Sequence, residues 1–151
     1  MKKVRSKIKN IKFKKNFSVI EPVNLYDCSF GKDVFVGPFV EIQKGVIIND
    51  NTRVSSHSFI CEKVKIGKNC FIGHGVMFVN DKFSNGKRVH GDKKKWLPTI
   101  IDDNVLIGSN STILPVKVIS GCVIGAGSVV TKDIIKKGVY AGNPAKLIKK
   151  L

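Results

Sequence analysis

The chain has 151 residues, enough for one domain with a continuous core. It contains no apolar run long enough to span a membrane, and residues 1–15 hold eight Lys or Arg with no apolar signal segment, which points to a cytoplasmic protein. A net charge of +16 favours anionic partners, but only three of the 27 basic residues are Arg (Arg5, Arg53 and Arg88) and no aromatic platform for single strands is interleaved with the basic clusters, so nucleic acid is not the expected partner.

Residues 1–22 form a basic N-terminal arm. Val4, Ile8 and Ile11 fit a weak helix, whereas Ile11 and Phe13 alternate as in an edge strand. Either form could close the end of the repeat array that follows. Beyond Val23 an aliphatic residue recurs at every sixth place: Val36, Ile42, Ile48, Val54, Ile60, Ile66 and Ile72, with Phe78 closing the run. A smaller register follows each by four: Val40, Val46, Thr52, Ser58, Val64, Cys70 and Val76. A period of six is neither the 3.6 of a helix nor the 2 of an ordinary strand. It predicts an all-β fold, a parallel β-helix in which each hexad is one short strand plus a corner. Gly31, Gly37, Gly67 and Gly73 take the place after the large aliphatic, where the backbone must turn, and Asn49 takes the same slot. Cys28 and Cys70 fall in the small register, with Cys61 and Cys122 beside it. Without a CxxC pair these read as buried thiols, not a metal site or a disulfide framework.

The count breaks at Asn80–Pro98, a polar segment with two glycines that reads as a functional excursion loop. The hexads resume at Ile101, Ile107, Ile113 and Ile119. A one-residue deletion near Ser120–Gly121 then moves the next rungs to Ile124 and Val130. The β-helix is thus expected over residues 23–130. Residues 131–151 read as a loop and a short basic C-terminal helix.

Three segments carry a resemblance. IGHGVMFVND (72–81), IGSNSTILP (107–115), and VIGAGSVVTKDI (123–134) with AGNPAK (141–146) are similar to the hexapeptide-repeat acyltransferases. SHSFICE with IGHGVMFVND most resembles the bacterial sugar-nucleotide N-acetyltransferases of surface-polysaccharide biosynthesis. The resemblance implies a left-handed solenoid and a homotrimer with three active sites between neighbouring subunits. It further implies acetyl-CoA along the groove between two prisms, the loop reaching over the site, and a dTDP- or UDP-linked amino-deoxy sugar as acceptor. No metal and no membrane insertion are expected.

Acetyl transfer needs a nucleophile, a proton acceptor and donors aimed at the oxygen of the tetrahedral intermediate. Asn80 and Asp81 stand where the repeat ends and the loop begins. Relatives that acetylate hydroxyls or drugs typically hold a catalytic His in the corresponding stretch, and the sugar N-acetyltransferases hold Asn. An amide cannot act as a base near neutral pH but can donate to an oxyanion or orient an acceptor, so Asn80 favours an amine acceptor. Asp81 could bind that amine or cap the loop. His74, after a corner glycine, could bond substrate or relay a proton; His57 lies near another corner; His90, in the loop, has the side chain of a base. By resemblance, Ser109 and Ala126 would contact the pantetheine arm, and Thr131, Lys132 and Lys146 would lie near the adenosine phosphates. Lys93 and Lys95 could meet the diphosphate of a nucleotide-linked sugar, and Trp96 reads as an anchor for the base of the loop. Two rivals remain: an O-acetyltransferase or other small-acceptor acyltransferase of the same fold, which needs a His base, and a non-enzymatic scaffold whose polyanion binding would fall steeply with salt.

Overall fold

The computed structural model describes residues 7–84, 86–89 and 92–151. Two- to five-residue strands wind into a three-faced parallel solenoid of about seven turns. The first face stacks Ile8–Lys9, Asn24–Tyr26, Glu41–Ile42, Phe59–Ile60, Met77–Phe78, Thr112–Ile113 and Val129–Val130. The second stacks Lys12–Phe13, Ser29–Phe30, Ile47–Ile48, Val64–Ile66, Thr99–Ile101 and Lys117–Val118. The third stacks Ser18–Val19, Phe35–Val36, Arg53–Val54, Phe71–Ile72, Leu106–Ile107, Val123–Ile124 and Gly138–Ala141, with Lys146–Lys150 at its edge. The winding is consistent with the left-handed β-helix that the resemblance implies.

Three hexads make one coil, so through the middle of the prism each residue lies beside the one 18 places on, as with Phe35 on Arg53, Glu41 on Phe59 and Ile47 on Lys65. The first and last coils pair 17 apart, as with Ile8 on Leu25 and Leu106 on Val123. The large register fills the interior, with Val36, Ile42, Ile48, Val54, Ile60, Ile66 and Ile72 all at 0% exposure. The small register lines the interior beside the corners. Where it is polar, its hydroxyls take up corner carbonyls: Thr52 Oγ1 donates to Gly67 O (2.8 Å) and Ser58 Oγ to Gly73 O (2.9 Å). No buried side-chain polar atom is left unpaired among the described residues.

Three expectations change. The solenoid begins within the basic arm, because Ile8–Lys9, Lys12–Phe13 and Ser18–Val19 pair with Leu25–Tyr26, Ser29–Phe30 and Phe35–Val36 as a first coil. The one-residue deletion lies at the Leu114–Pro115 corner, not at Ser120–Gly121. Val118 is the buried residue and pairs with Ile101, while Ile119 is only half-buried. Two adjacent aliphatics hid the shift, which also brings Cys122 into the small register. Lastly, the expected C-terminal helix is a strand. Lys146–Lys150 folds back antiparallel on Gly138–Ala141, and among the described residues there is no α-helix. So short a segment has too few turns to form a stable helix by itself, and the open sheet edge offers it a ready set of backbone partners.

Glycines follow the large aliphatics because successive coils touch there. A Cβ on Gly73 would stand 2.7 Å from the Ser109 nitrogen. The left-handed backbone falls two places later, at Asn51, Asn69, Gly75, Asn104 and Asn110 among others.

Removing one large rung should be costly: Ile72→Ala is expected to lose about 2–5 kcal/mol in denaturant unfolding, with the m-value retained. All four cysteines are free and buried. Burial pushes the Cys28 and Cys61 thiols up to about 12 from the ordinary 9.0 and raises Cys70 and Cys122 as well. Above pH 9 the unfolded chain therefore releases thiol protons that the native chain keeps, so stability falls as pH rises through that range. At about pH 8, below the ordinary thiol range, the native thiols should resist a disulfide reagent, and all four should react once the chain is unfolded.

Candidate active site

Because coils stack in register, each corner repeats as a column along the prism. The corner after the third face carries Pro38, Ser56, His74, Ser109 and Ala126 in one column. Phe39, His57, Gly75, Asn110 and Gly127 form the next. Backbone bonds tie each corner to its neighbour: His57 N–H donates to Pro38 O (3.1 Å), Gly75 N–H to Ser56 O (2.9 Å), Asn110 N–H to His74 O (2.7 Å) and Gly127 N–H to Ser109 O (2.8 Å).

His74 is exposed and held from both sides along its column. Its Nδ1 shares a hydrogen bond with Ser56 Oγ (2.8 Å), and its backbone N–H donates to Ser109 Oγ (3.1 Å). Beside this column run the corner glycines Gly73, Gly108 and Gly125, where successive coils approach most closely: Gly108 packs against Ala126 and Gly125 against Ala141. Ala141–Lys146 continues it: Gly125 N–H donates to Tyr140 O (2.8 Å), Val129 N–H to Gly142 O (3.0 Å) and Ala145 N–H to Val129 O (2.8 Å). His57, His74, Ser109, Ala126 and Lys146 therefore share one edge of the prism.

Asn80 and the loop leave from a different edge, the corner after the first face, where the equivalent residues of other coils are Lys44, Glu62, Pro115 and Lys132. Asn80 is half-buried; its side-chain amide donates to the backbone carbonyl of Glu62 (3.4 Å), and its own backbone carbonyl accepts the Leu97 N–H (3.1 Å), which closes the base of the loop. Asp81 caps the loop, as one of its two expected roles: its two oxygens accept the N–H of Phe83 (2.9 Å) and Val89 (2.8 Å). Lys63 Nζ donates to the Trp96 carbonyl (2.7 Å), tying the loop base to the prism. Lys93–Lys95 forms a 3₁₀ turn in which Lys95 pairs with Asp92 at 3.7 Å. Lys82, Lys87, Arg88, Lys95 and Asp92 line a cavity of about 540 Å³. His90 lies outside the described residues. Thr131 and Lys132 sit on this loop-bearing edge, so the three residues expected near the phosphates are divided between two edges, with Lys146 on the other.

Within one chain the structure thus divides the candidate residues into two groups, on the two edges that bound the first face. Sequence reasoning missed Ser56, Phe39 and Lys63. Stacking the hexads in threes places Ser56 over His74 and Phe39 over His57, but which side chains then bond or stack depends on rotamers.

The chain matches the family models described as "Hexapeptide repeat of succinyl-transferase" over residues 63–77 and 98–132 and "Bacterial transferase hexapeptide (six repeats)" over residues 27–62. It belongs to the hexapeptide-repeat acyltransferase superfamily. The bifunctional protein GlmU of Thermotoga petrophila is 34% identical over 127 residues, covering 78% of this chain and 28% of GlmU. The chain therefore spans about a quarter of the length of the curated relatives it matches. AntD, an N-acyltransferase from Bacillus cereus solved as a point mutant in complex with dTDP and coenzyme A, superposes with a TM-score of 0.75 at 18% identity, over 90% of this chain and 84% of AntD. PerB from Caulobacter crescentus, solved with CoA and GDP-perosamine, gives 0.67 at 18%, over 94% of this chain and 57% of PerB. At such identity the likeness is one of fold.

Asp81→Ala removes two backbone caps inside the loop. Limited proteolysis should then cut within residues 80–98 at least several-fold faster, while the thermal midpoint of the prism stays within a degree or two.

Proposed function

We propose that this protein is an acetyl-CoA-dependent N-acetyltransferase acting on the amino group of a dTDP- or UDP-linked amino-deoxy sugar, in the cytoplasm, for O-antigen or other surface glycan synthesis. The observation that carries the reading is the column Ser56–His74–Ser109–Ala126 on one edge, with a loop opening at Asn80 on the next edge of the same coil. The pantetheine arm fits the column's C-terminal half, where Ala126 and Gly127 carry little or no side chain to hold a ligand away from the surface. Lys146, Thr131 and Lys132 supply cations and a hydroxyl for the phosphates. The complexes of PerB with GDP-perosamine and of AntD with dTDP support a nucleotide-linked acceptor.

Two half-sites on separate edges call for a second copy of the chain, whose loop edge would meet this chain's His74 edge. A homotrimer satisfies that, with three sites between subunits. The outer row of the third face supports such packing, since Phe35, Arg53, Phe71, Leu106 and Val123 stand in cross-strand register and Phe71 and Leu106 are 38% and 45% exposed.

In the reaction the neutral amine attacks the acetyl carbonyl carbon. The C–N bond forms, the oxyanion collapses, the C–S bond breaks, and the amine's surplus proton ends on the thiolate or solvent. Asn80 spends one N–H on Glu62, which fixes the amide plane, and has a second to donate to the oxyanion or acceptor. His74, pinned through Nδ1, has Nε2 to pass the proton. That same pinning favours the second reading, O-acetyl transfer with His74 as base.

The test is thiol release from acetyl-CoA against a panel of UDP- and dTDP-linked 3-amino and 4-amino sugars. Turnover with at least one is expected. Asn80→Ala should lower kcat by about 10²–10³-fold, as loss of an oxyanion donor does. Loss of turnover in His74→Ala with Asn80→Ala unaffected would overturn the preference for an amine acceptor, and no release with any amino sugar would sink the specific claim.

A further inference from the structure

The positions two places past the corner glycine require a left-handed backbone, and most are filled by residues that tolerate it. Along the third corner these are Gly75, Asn110 and Gly127 toward the C-terminal end. Toward the N-terminal end the same slot holds Phe39 at φ 60° and His57 at φ 63°, two bulky side chains in a conformation that Cβ sterics disfavour. Fold alone asks for Asn or Gly there. Strain of this kind persists where the side chain has another use.

The two rings stack on one another at 4.8 Å between centroids with an interplanar angle of 27°, and Phe39 remains 57% exposed. Phe39 also lines a hollow of about 280 Å³ with Pro22, Val23, Asn24, Val40 and Glu41. That volume lies just under the usual range for ligand pockets, so it suits a single heterocycle better than a whole nucleotide. The walls supply an apolar body and, from Asn24 and Glu41, an amide and a carboxylate able to bond the edge of a base. Gln43 Nε2 donates to Glu41 Oε1 (3.0 Å), which steadies the carboxylate.

We propose that Phe39, backed by His57, is the platform on which the nucleobase of the acceptor stacks. The placement rests on the N-acetyltransferase reading above: a cofactor arm over Ser109 and Ala126 occupies the column on one side of His74 and leaves the Ser56–His57–Phe39 side for the acceptor. Base-on-aromatic stacking tolerates any base, and Asn24 and Glu41 would select among them.

Calorimetry on the full chain with UDP, dTDP, GDP and inorganic pyrophosphate tests this. At least one nucleoside diphosphate should bind tenfold or more tighter than pyrophosphate. Phe39→Gly should weaken that nucleotide by about tenfold or more while holding or raising the thermal midpoint, since glycine relieves the left-handed strain. Phe39→Asn, which also tolerates the slot, should behave alike. Equal binding of pyrophosphate, no nucleotide binding, or unchanged affinity in both variants overturns the platform. If nucleotide binds through Phe39 but no amino sugar is acetylated, the reaction assigned above fails and the platform stands. If an amino sugar is acetylated with a KM indifferent to Phe39→Gly, the platform fails and the reaction stands.

Discussion

Backbone hydrogen bonding from coil to coil is the constraint on which everything else here depends. Phe35 N–H donates to Thr52 O, Arg53 N–H to Cys70 O, and Phe71 N–H to Val105 O, each link joining one layer to the next. Parallel in-register pairing forces like onto like: large aliphatics fill the interior, glycines meet backbone, and corner residues fall into columns. A single side chain at a corner is therefore one member of a row that runs the length of the prism. That is how His74 comes to touch Ser56 and Ser109, which are remote from it in sequence but adjacent in the stack.

The same constraint explains where variation is permitted. An insertion inside a strand would shift every later rung, but one at a corner only lengthens the turn. The loop uses that freedom. Thr99 pairs with Val64 as the next rung of the second face, although the loop lengthens that coil from 18 residues to 35, and the core on either side is continuous. The loop is then tied down locally, by Asn80 across its base, by Asp81 within it, and by Lys63 on the Trp96 carbonyl. Its residues can carry specificity without being asked to carry stability.

Much of the fold was legible because the hexad is a local pattern with a direct physical reading. The buried rungs from Val36 to Phe78 and from Ile101 to Ile113 are the ones the spacing names. Errors arose where the local pattern was degenerate. Val118 and Ile119 are both aliphatic, so only the pairing with Ile101 shows which turns inward. The basic residues of the first coil masked its short strands. At the C-terminus, Lys146–Lys150 has the composition of a helix, and an unpaired sheet edge claims it instead.

The sequence by itself determined that the chain is a six-residue solenoid, where the repeat is interrupted, and that Asn80 stands at the interruption, because spacing and residue identity are properties of the chain alone. Only the tertiary structure decided which residues share an edge. Three hexads per coil set His57, His74, Ser109, Ala126 and Lys146 on one edge and Asn80, Asp81, Thr131 and Lys132 on another, so no single chain gathers them. That division follows from winding and register, which close over distances that no stretch of sequence spans.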